Sequence, residues 1–411
     1  MGRAEVPPPR AHDKETKLSR YFGTAARTRR LCILLSLLAG LLVGAGCSTG
    51  SSGAGSIGTT LSASERNRRL ASAIDPNSRL ASAFERVCPR APAGYAQCEL
   101  LLAKTGPSGY GPADLSSAYN LSGDVGGGSG ATVAVIDAYD DPNLESDLAV
   151  YRANYGLTAC SSSSGCLRKV NQNGGSKLPS GNESWGAEES LDVDMVSALC
   201  PNCSILLVEA KSASLNDLGQ AVSEAAKLGA TTISTAFSGS EFKKEDSKSP
   251  YDAGRPVTAA GGDSGFGVGY PAALPIVIAV GATTLTKGGG GSRGWTETAD
   301  GGGGCALYAA KPKWQKDDFC TTRTDNDVAF VGSPSTGVAI YDSYGFGGWL
   351  EVGGTSVGAP AIAAIYALAG NAHGIKNAKD LYAHASELYD IPPTGYDEAT
   401  GNGTPNSTAA F

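Results

Sequence analysis

Histidine is almost absent. The 411 residues contain three, His12, His373 and His384, and that scarcity excludes whole classes of chemistry. A zinc site of paired cysteines and histidines has no second Cys-x-x-Cys to complement "CPNC" at 200–203 and little imidazole to draw on. A serine nucleophile relayed through imidazole has none at a usable place. His12 precedes an export-like segment, His373 and His384 lie in a polar stretch near the C-terminus, and no His-Gly-Thr segment exists. Runs of Lys or Arg are missing from the folded part and the formal net charge is −7, which argues against nucleic acid as a partner. Long apolar runs are missing too. The longest, Leu31 to Gly46 behind Arg27, Arg29 and Arg30, falls short of the ~20 residues of a comfortable membrane span and suits the apolar region of a signal peptide. A signal-anchor helix is the other reading.

What is present is a globular composition, 41% hydrophobic and 18% charged, with 56 Gly and 21 Pro pointing to long loops between compact elements. Residues 1–47 read as an N-terminal extension and signal peptide. Cys47, after "GAG", is either a lipidation site that tethers the protein to a membrane or the neighbour of an ordinary cleavage site. Residues 48–108 read as linker and short prosegment-like region: 48–64 are small and polar, and a "RLASA" echo follows. The remainder, 109–411, reads as one domain. Outside the export segment eight cysteines fall into sequence neighbours, Cys88 with Cys98, Cys160 with Cys166, Cys200 with Cys203 and Cys305 with Cys320. Four local disulfides are the economical reading in an oxidising compartment, although spacing alone does not fix connectivity and "CPNC" also suits a redox dithiol.

From 131 onward short apolar, β-branched runs alternate with helical stretches. "ATVAVIDAY", "SILLVEA", "TTISTAF", "PVTAAGG" and "PIVIAVGATTL" read as strands. "LESDLAVYRANYG", "ESLDVDMVSALC", "LNDLGQAVSEAAKLGA" and "SVGAPAIAAIYALAG" read as helices. That alternation predicts an α/β fold with a mostly parallel central sheet and helices on both faces, and such sheets carry their sites at the strands' carboxyl ends.

"GGTSVGAP" at 353–360 puts Ser356 at the start of the last core helix as a candidate nucleophile. Its base must then be a carboxylate. In "WGAEESLDVDM" Glu188 and Asp192 are four residues apart, one turn of helix, and two carboxyls so placed in a buried site share a proton. Glu188 would take the serine proton and Asp192 would orient it; a solvated acidic face is the plain alternative. Asp263 in "AAGGDSGFG" ends a predicted strand, where a protonated carboxyl can donate to a developing oxyanion, or simply form a turn. Asp137 at the end of "VAVID" has no histidine to serve and reads as structural.

Glu188-x-x-x-Asp192, "GGDSG", "GGTSVGAP" and the late "YDIPPTGYDEATGNGTP" occur in the order that resembles the sedolisin family, the serine-carboxyl peptidases. "AVIDAYDDPNLESDLAVYRANYGL" and "TPNSTAAF" look like a bacterial secreted branch of it, and the resemblance spans about 84–411. It implies a subtilisin-like fold and a secreted, monomeric endopeptidase acting on protein or peptide substrates at acidic pH. By the same resemblance Glu188 is the base, Asp192 its partner, Asp263 the oxyanion donor and Ser356 the nucleophile. It further implies one structural calcium, held by the carboxylates of Asp390 and Asp397 and the carbonyls of Ile391, Pro393 and Gly395. Three departures stand out. Ala236 replaces a serine in the substrate-holding strand "STAFSGS", the C-terminal loop is shortened with Pro393 at a glycine position, and the prosegment is reduced. The first two motivate the alternative of a non-catalytic exported protein using the same fold as a binding scaffold. An esterase reading has no Gly-x-Ser-x-Gly elbow to rest on.

Overall fold

The computed structural model describes residues 84–105, 108–243, 245, 249–288 and 293–411. The signal-like segment, Cys47, the 48–64 tether and the "RLASA" echo lie outside the described residues. Among the described residues no helix is long and apolar enough to cross a membrane.

Three short strands come first, β1 (Glu85–Arg86), β2 (Ala96–Cys98) and β3 (Leu101–Thr105), followed by helix α1 (Pro112–Ala118). The α/β alternation then runs β4 (Thr132–Ala138), α2 (Leu144–Asn154), β5 (Leu167–Asn171), α3 (Glu183–Leu199), β6 (Ser204–Ala210), α4 (Leu215–Lys227) and β7 (Thr232–Thr235). Next are β8 (Phe237–Gly239), β9 (Val257–Ala260), β10 (Ile278–Lys287), β11 (Trp295–Ala299), β12 (Gly304–Ala310), β13 (Thr322–Asp325) and β14 (Val328–Val331). β15 (Val338–Asp342), β16 (Gly348–Gly353), α5 (Gly358–Ala369) and the short α6 (Lys379–Ala383) complete the order.

The central sheet has the order β11-β10-β9-β7-β4-β6-β5, with β14 also pairing β10. Every pairing in it is parallel except β10 with β11. β4 and β6 are buried at every position but the first, the continuous apolar pattern that a sheet covered on both sides requires. Helices α3 and α4 pack on the same two strands, β4 and β6, without substantial contact between themselves, and so cover opposite faces. The predicted α/β architecture is the observed one.

Helix α3 begins at Asn182, whose side-chain oxygen accepts the N–H groups of Ser184 and Trp185, both at 3.1 Å. This start lies six residues earlier than the apolar pattern alone suggests, and it brings Glu188 inside the helix. α3 is buried along nearly its whole length against α5, itself apolar all round and stopped by Gly370 at φ +75°. A second, antiparallel sheet has the order β1-β3-β16-β15, and β2 pairs with β8. The region read from sequence as linker and prosegment therefore supplies strands to both arrangements.

The four bridges Cys88–Cys98, Cys160–Cys166, Cys200–Cys203 and Cys305–Cys320 form as sequence neighbours. One buried ion pair ties the C-terminal third together. Arg323 and Asp327, both fully buried, make two parallel contacts of 2.9 and 2.6 Å, while Asp327 also accepts Ala279 N–H at 2.9 Å and the Tyr382 hydroxyl at 3.0 Å. Removing one partner strands a buried charge. Asp327→Ala is expected to cost about 3–5 kcal/mol in denaturant unfolding of the purified protein; a loss below about 1 kcal/mol would show that the pair is dispensable.

Candidate active site

Ser356 sits between β16 and α5, just past Gly354 (φ +106°). A Cβ at 354 would lie 2.0 Å from the Glu99 carbonyl oxygen and 2.7 Å from Asp263 Oδ2, so both the left-handed backbone and the crowding require glycine there. Ser356 is fully buried, and its hydroxyl donates to the Ala236 carbonyl at 2.8 Å. Ala236, the departure noted in "STAFSGS", thus reaches Ser356 through its backbone, where the side chain is irrelevant.

Asp263 follows β9 through Gly261 and Gly262 and is locked onto the loop that carries Ser356. Its Oδ1 accepts Thr355 N–H at 2.8 Å and the Thr355 hydroxyl at 3.0 Å, and that hydroxyl oxygen accepts Gly262 N–H at 3.0 Å. Oδ2 is buried without a hydrogen-bond partner. Burial first, and then the neighbouring Glu99 carboxylate, push the Asp263 carboxyl up to about 8. In the neutral and acid range it therefore holds a proton, and Oδ2 has one to donate.

Glu188 and Asp192 project from α3 into the same interior, both with 0% exposure, which disposes of the solvated acidic face. Glu188 is close enough to Ser356 for the hydroxyl to oppose the rise in its pKa. Desolvation and then the Asp137 charge nonetheless drive it well up. Asp192 is likewise raised by burial, then by Asp137, Glu188 and Glu189. Asp137 stands at the end of β4, and burial raises it to about 8. The oxygens of Asp137, Glu188 and Asp192 find no hydrogen-bond partner among the described residues, leaving shared carboxyl protons as the donors that satisfy them. The sequence reading set Asp137 aside as structural; the fold puts it against both acids. Behind this cluster Lys169 pairs with Glu209 at 3.0 Å, and Glu209 faces Asp137 across the β4–β6 ladder.

Glu99 escaped the sequence reading altogether. It is 1% exposed and sits against Ser356. Ser356 N–H donates to its carbonyl at 3.3 Å, and Asp263 N–H donates to its Oε2, also at 3.3 Å. No motif announces it, and the single trace is one acid opening the apolar run "ELLLA" after Cys98. His373 and His384 are exposed and line a hollow with Asn371, Asp380 and Phe411, apart from every site residue.

The residues suggested for calcium are close in space but face other partners. Exposed Asp390 accepts Gly395 N–H with both oxygens, at 3.2 and 3.0 Å. Asp397 accepts Ala399 N–H at 2.9 Å, Thr400 N–H at 2.8 Å and the Thr400 hydroxyl at 2.5 Å. Six to eight converging oxygens are needed for calcium, whereas these two carboxylates are turned onto N–H and O–H donors of their own turns. The donor set as arranged does not fit the ion, and no role is drawn from it.

Residues 179–403, more than half of the chain, match the subtilase family. Kumamolisin of Bacillus sp. (strain MN-32) is 28% identical over 363 residues, covering 73% of this chain and 62% of that protein. Xanthomonalisin of Xanthomonas sp. (strain T-22) is 33% identical over 178 residues, 34% of this chain and 21% of that protein. Sedolisin of Pseudomonas sp. (strain 101) is 30% identical over 152 residues, 34% of this chain and 25% of that protein. The chain thus spans less than two thirds of the length of the curated relatives it matches. A solved structure of Pseudomonas sedolisin, a serine-carboxyl proteinase, superposes with a TM-score of 0.60 at 23% identity, covering 73% of this chain and 96% of that one. Fervidolysin from Fervidobacterium pennivorans, related to subtilisin, does so at 0.50 and 14% identity, over 76% and 50% of the two chains. With a family match across more than half its length, on a subtilisin-like fold, the chain belongs to the subtilase family, where its relatives put it with the sedolisins.

Proposed function

We propose that this protein is an exported serine-carboxyl endopeptidase that cleaves extended protein or peptide chains in acid. One observation carries the reading: Ser356, Glu188 and Asp263 converge on one buried point with no histidine near it among the described residues. Ser356 Oγ attacks the peptide carbonyl and Glu188 takes its proton, with Asp192 holding the charge of the pair in place. Negative charge developing on the carbonyl oxygen is met by Ser356 N–H and by protonated Asp263. Loss of activity in alkali follows from that last donor, because a carboxyl raised to about 8 stops donating once it ionises. Four disulfides and the signal-like segment support export to an oxidising compartment. The scaffold alternative draws on the buried Ser356 hydroxyl, which donates to Ala236 rather than to Glu188; a serine-directed inhibitor that labels Ser356 in acid would dispose of it.

Ser356→Ala and Glu188→Gln are each expected to lower kcat on an unfolded protein substrate by about 1,000-fold or more, and the double variant hardly further, because the two act as a unit. Asp263→Ala is expected to cost about 100- to 1,000-fold. Full turnover by Ser356→Ala would end the reading. Stability carries the same acids in its pH dependence. The folded-state values of Asp137 and Asp263 lie near 8, above the 3.8 of the unfolded chain, so their contribution is complete below the unfolded value and is lost as pH rises through about 8. Unfolding free energy should therefore fall between about pH 4 and 8, on the order of 1 kcal/mol per pH unit for each group, and Asp263→Asn should flatten that slope in urea titrations.

A further inference from the structure

The buried acids do not end at Asp137. Glu209 on β6 is its register partner in the β4–β6 ladder, so both side chains leave the sheet on the same face. Glu189 on α3 meets them there. Its Oε2 accepts Asp141 N–H at 3.1 Å, and its Oε1 has no hydrogen-bond partner among the described residues. Burial, then the charges of Glu209 and Asp137, drive its carboxyl well up. Asp137, Glu188, Glu189, Asp192 and Glu209 all have 0% exposure, and their charges bear on one another. Five carboxylates cannot all stay ionised in such a place, yet five carboxylic acids contain no base. For Glu188 to accept a proton the array must be one proton short, and that negative charge needs a cation beside it.

Lys169 on β5 is that cation. Its Nζ lies 3.0 Å from Glu209 Oε1, 2.5 Å from Asp140 Oδ1 and 2.5 Å from the Asp141 carbonyl oxygen, which commits all three N–H bonds. Burial works against the ammonium, but the charges of Glu189 and Glu209 and the bond to Asp140 outweigh it and hold its pKa above the usual lysine value. At Glu209 burial raises the carboxyl, and the Lys169 charge is the largest effect opposing it.

Among the described residues no other Lys, Arg or His pairs with any of the five acids. The neighbouring elements keep their charges elsewhere. Arg152 of α2 is bound to Ser197 and to the Thr158 and Pro201 carbonyls, near Asp194. Asp147 of α2 and Asp342 of β15 gather with Asp141 and add acid, not base. On α4 Lys227 pairs with Glu224, and Asp217 accepts from Ser212 and Gln172; on α1 Asp114 pairs with Lys287. Arg168 of β5 is exposed, α5 holds no acidic or basic residue, and Asp263 and Glu99 on the Ser356 side are again acids.

We propose that Lys169 is a positioning residue for the catalytic base: its ammonium lowers the proton affinity of the carboxyl array and so keeps Glu188 able to take the Ser356 proton in acid. The inference rests on Ser356 and Glu188 having the roles given above. Because the array titrates as a unit, the missing proton is shared along it. The Ser356 proton fills that vacancy during attack and leaves it again for the nitrogen of the departing amine.

The test follows kcat/KM of the full chain on an unfolded protein substrate from about pH 2 to about pH 9, since that ratio reports the base of the free enzyme. In Lys169→Met the acid limb is expected to move up by about 1 pH unit or more, a loss of about 10-fold at a pH on that limb, while the alkaline limb set by Asp263 stays. Glu209→Gln leaves the ammonium facing the other acids and is expected to move the acid limb down. Lys169→Arg, which keeps the charge, is expected to keep the limb in place. A residue that only supports the fold would lower kcat/KM by one factor at every pH and give no opposite shifts from the two partners of one ion pair. Titration of glutamate carboxyl carbons by NMR in the same variants reads the displacement without turnover. An acid limb unmoved in Lys169→Met, or moved the same way in both variants, would overturn the inference and leave the peptidase reading standing. Should Lys169→Met not fold, Glu209→Gln decides alone, and an acid limb unmoved or moved up in it overturns the inference. A wild-type chain without Ser356-dependent hydrolysis at any pH would sink both.

Discussion

Negative charge in a place that water does not reach is the constraint on which this site depends. Asp137, Glu188 and Asp192 are wholly buried, and their oxygens have no hydrogen-bond partner among the described residues. An isolated carboxylate in such surroundings is too costly to persist, so the group takes up protons instead. The cluster consequently titrates as a unit. A serine next to it meets carboxyls whose proton affinity is set by how many protons their neighbours hold.

The same constraint acts on Asp263 from the other side of Ser356. Thr355 offers it two donors and so fixes one oxygen, while burial keeps the proton on the carboxyl. A glycine at 354 is what lets that carboxyl and a peptide carbonyl approach the same spot. Electrostatic stabilisation of an oxyanion is effective when the donor is held in place beforehand, and Asp263 is held by the loop that carries Ser356.

Burial of the site owes a good deal to residues 96–102, which lie along β8 and β16. Lys169, Glu209 and Glu189 form a further polar layer behind α3, in which an ion pair offsets part of the charge that the nearer acids leave uncompensated.

Much was legible without coordinates because it depends on local pattern. Apolar runs of β-branched residues define β4 and β6, the all-apolar stretch after Ser356 defines α5, neighbouring cysteines close on each other, and the four-residue interval between Glu188 and Asp192 places them on one helical face whatever surrounds the helix. Scarce histidine, likewise, directed attention to carboxyls. Burial and long-range approach are not properties of any segment, and these the tertiary structure alone decided. Asp137 joins the acids because β4 ends where α3 passes, Glu99 reaches Ser356 because β2 and β3 pair with strands 140 and 250 residues away, and the carboxylates of Asp390 and Asp397 accept the amides of their own turns. Periodicity tells which way a side chain faces on its own element; only the packing of distant elements determines what it meets there, and for an ionisable group that meeting sets its charge.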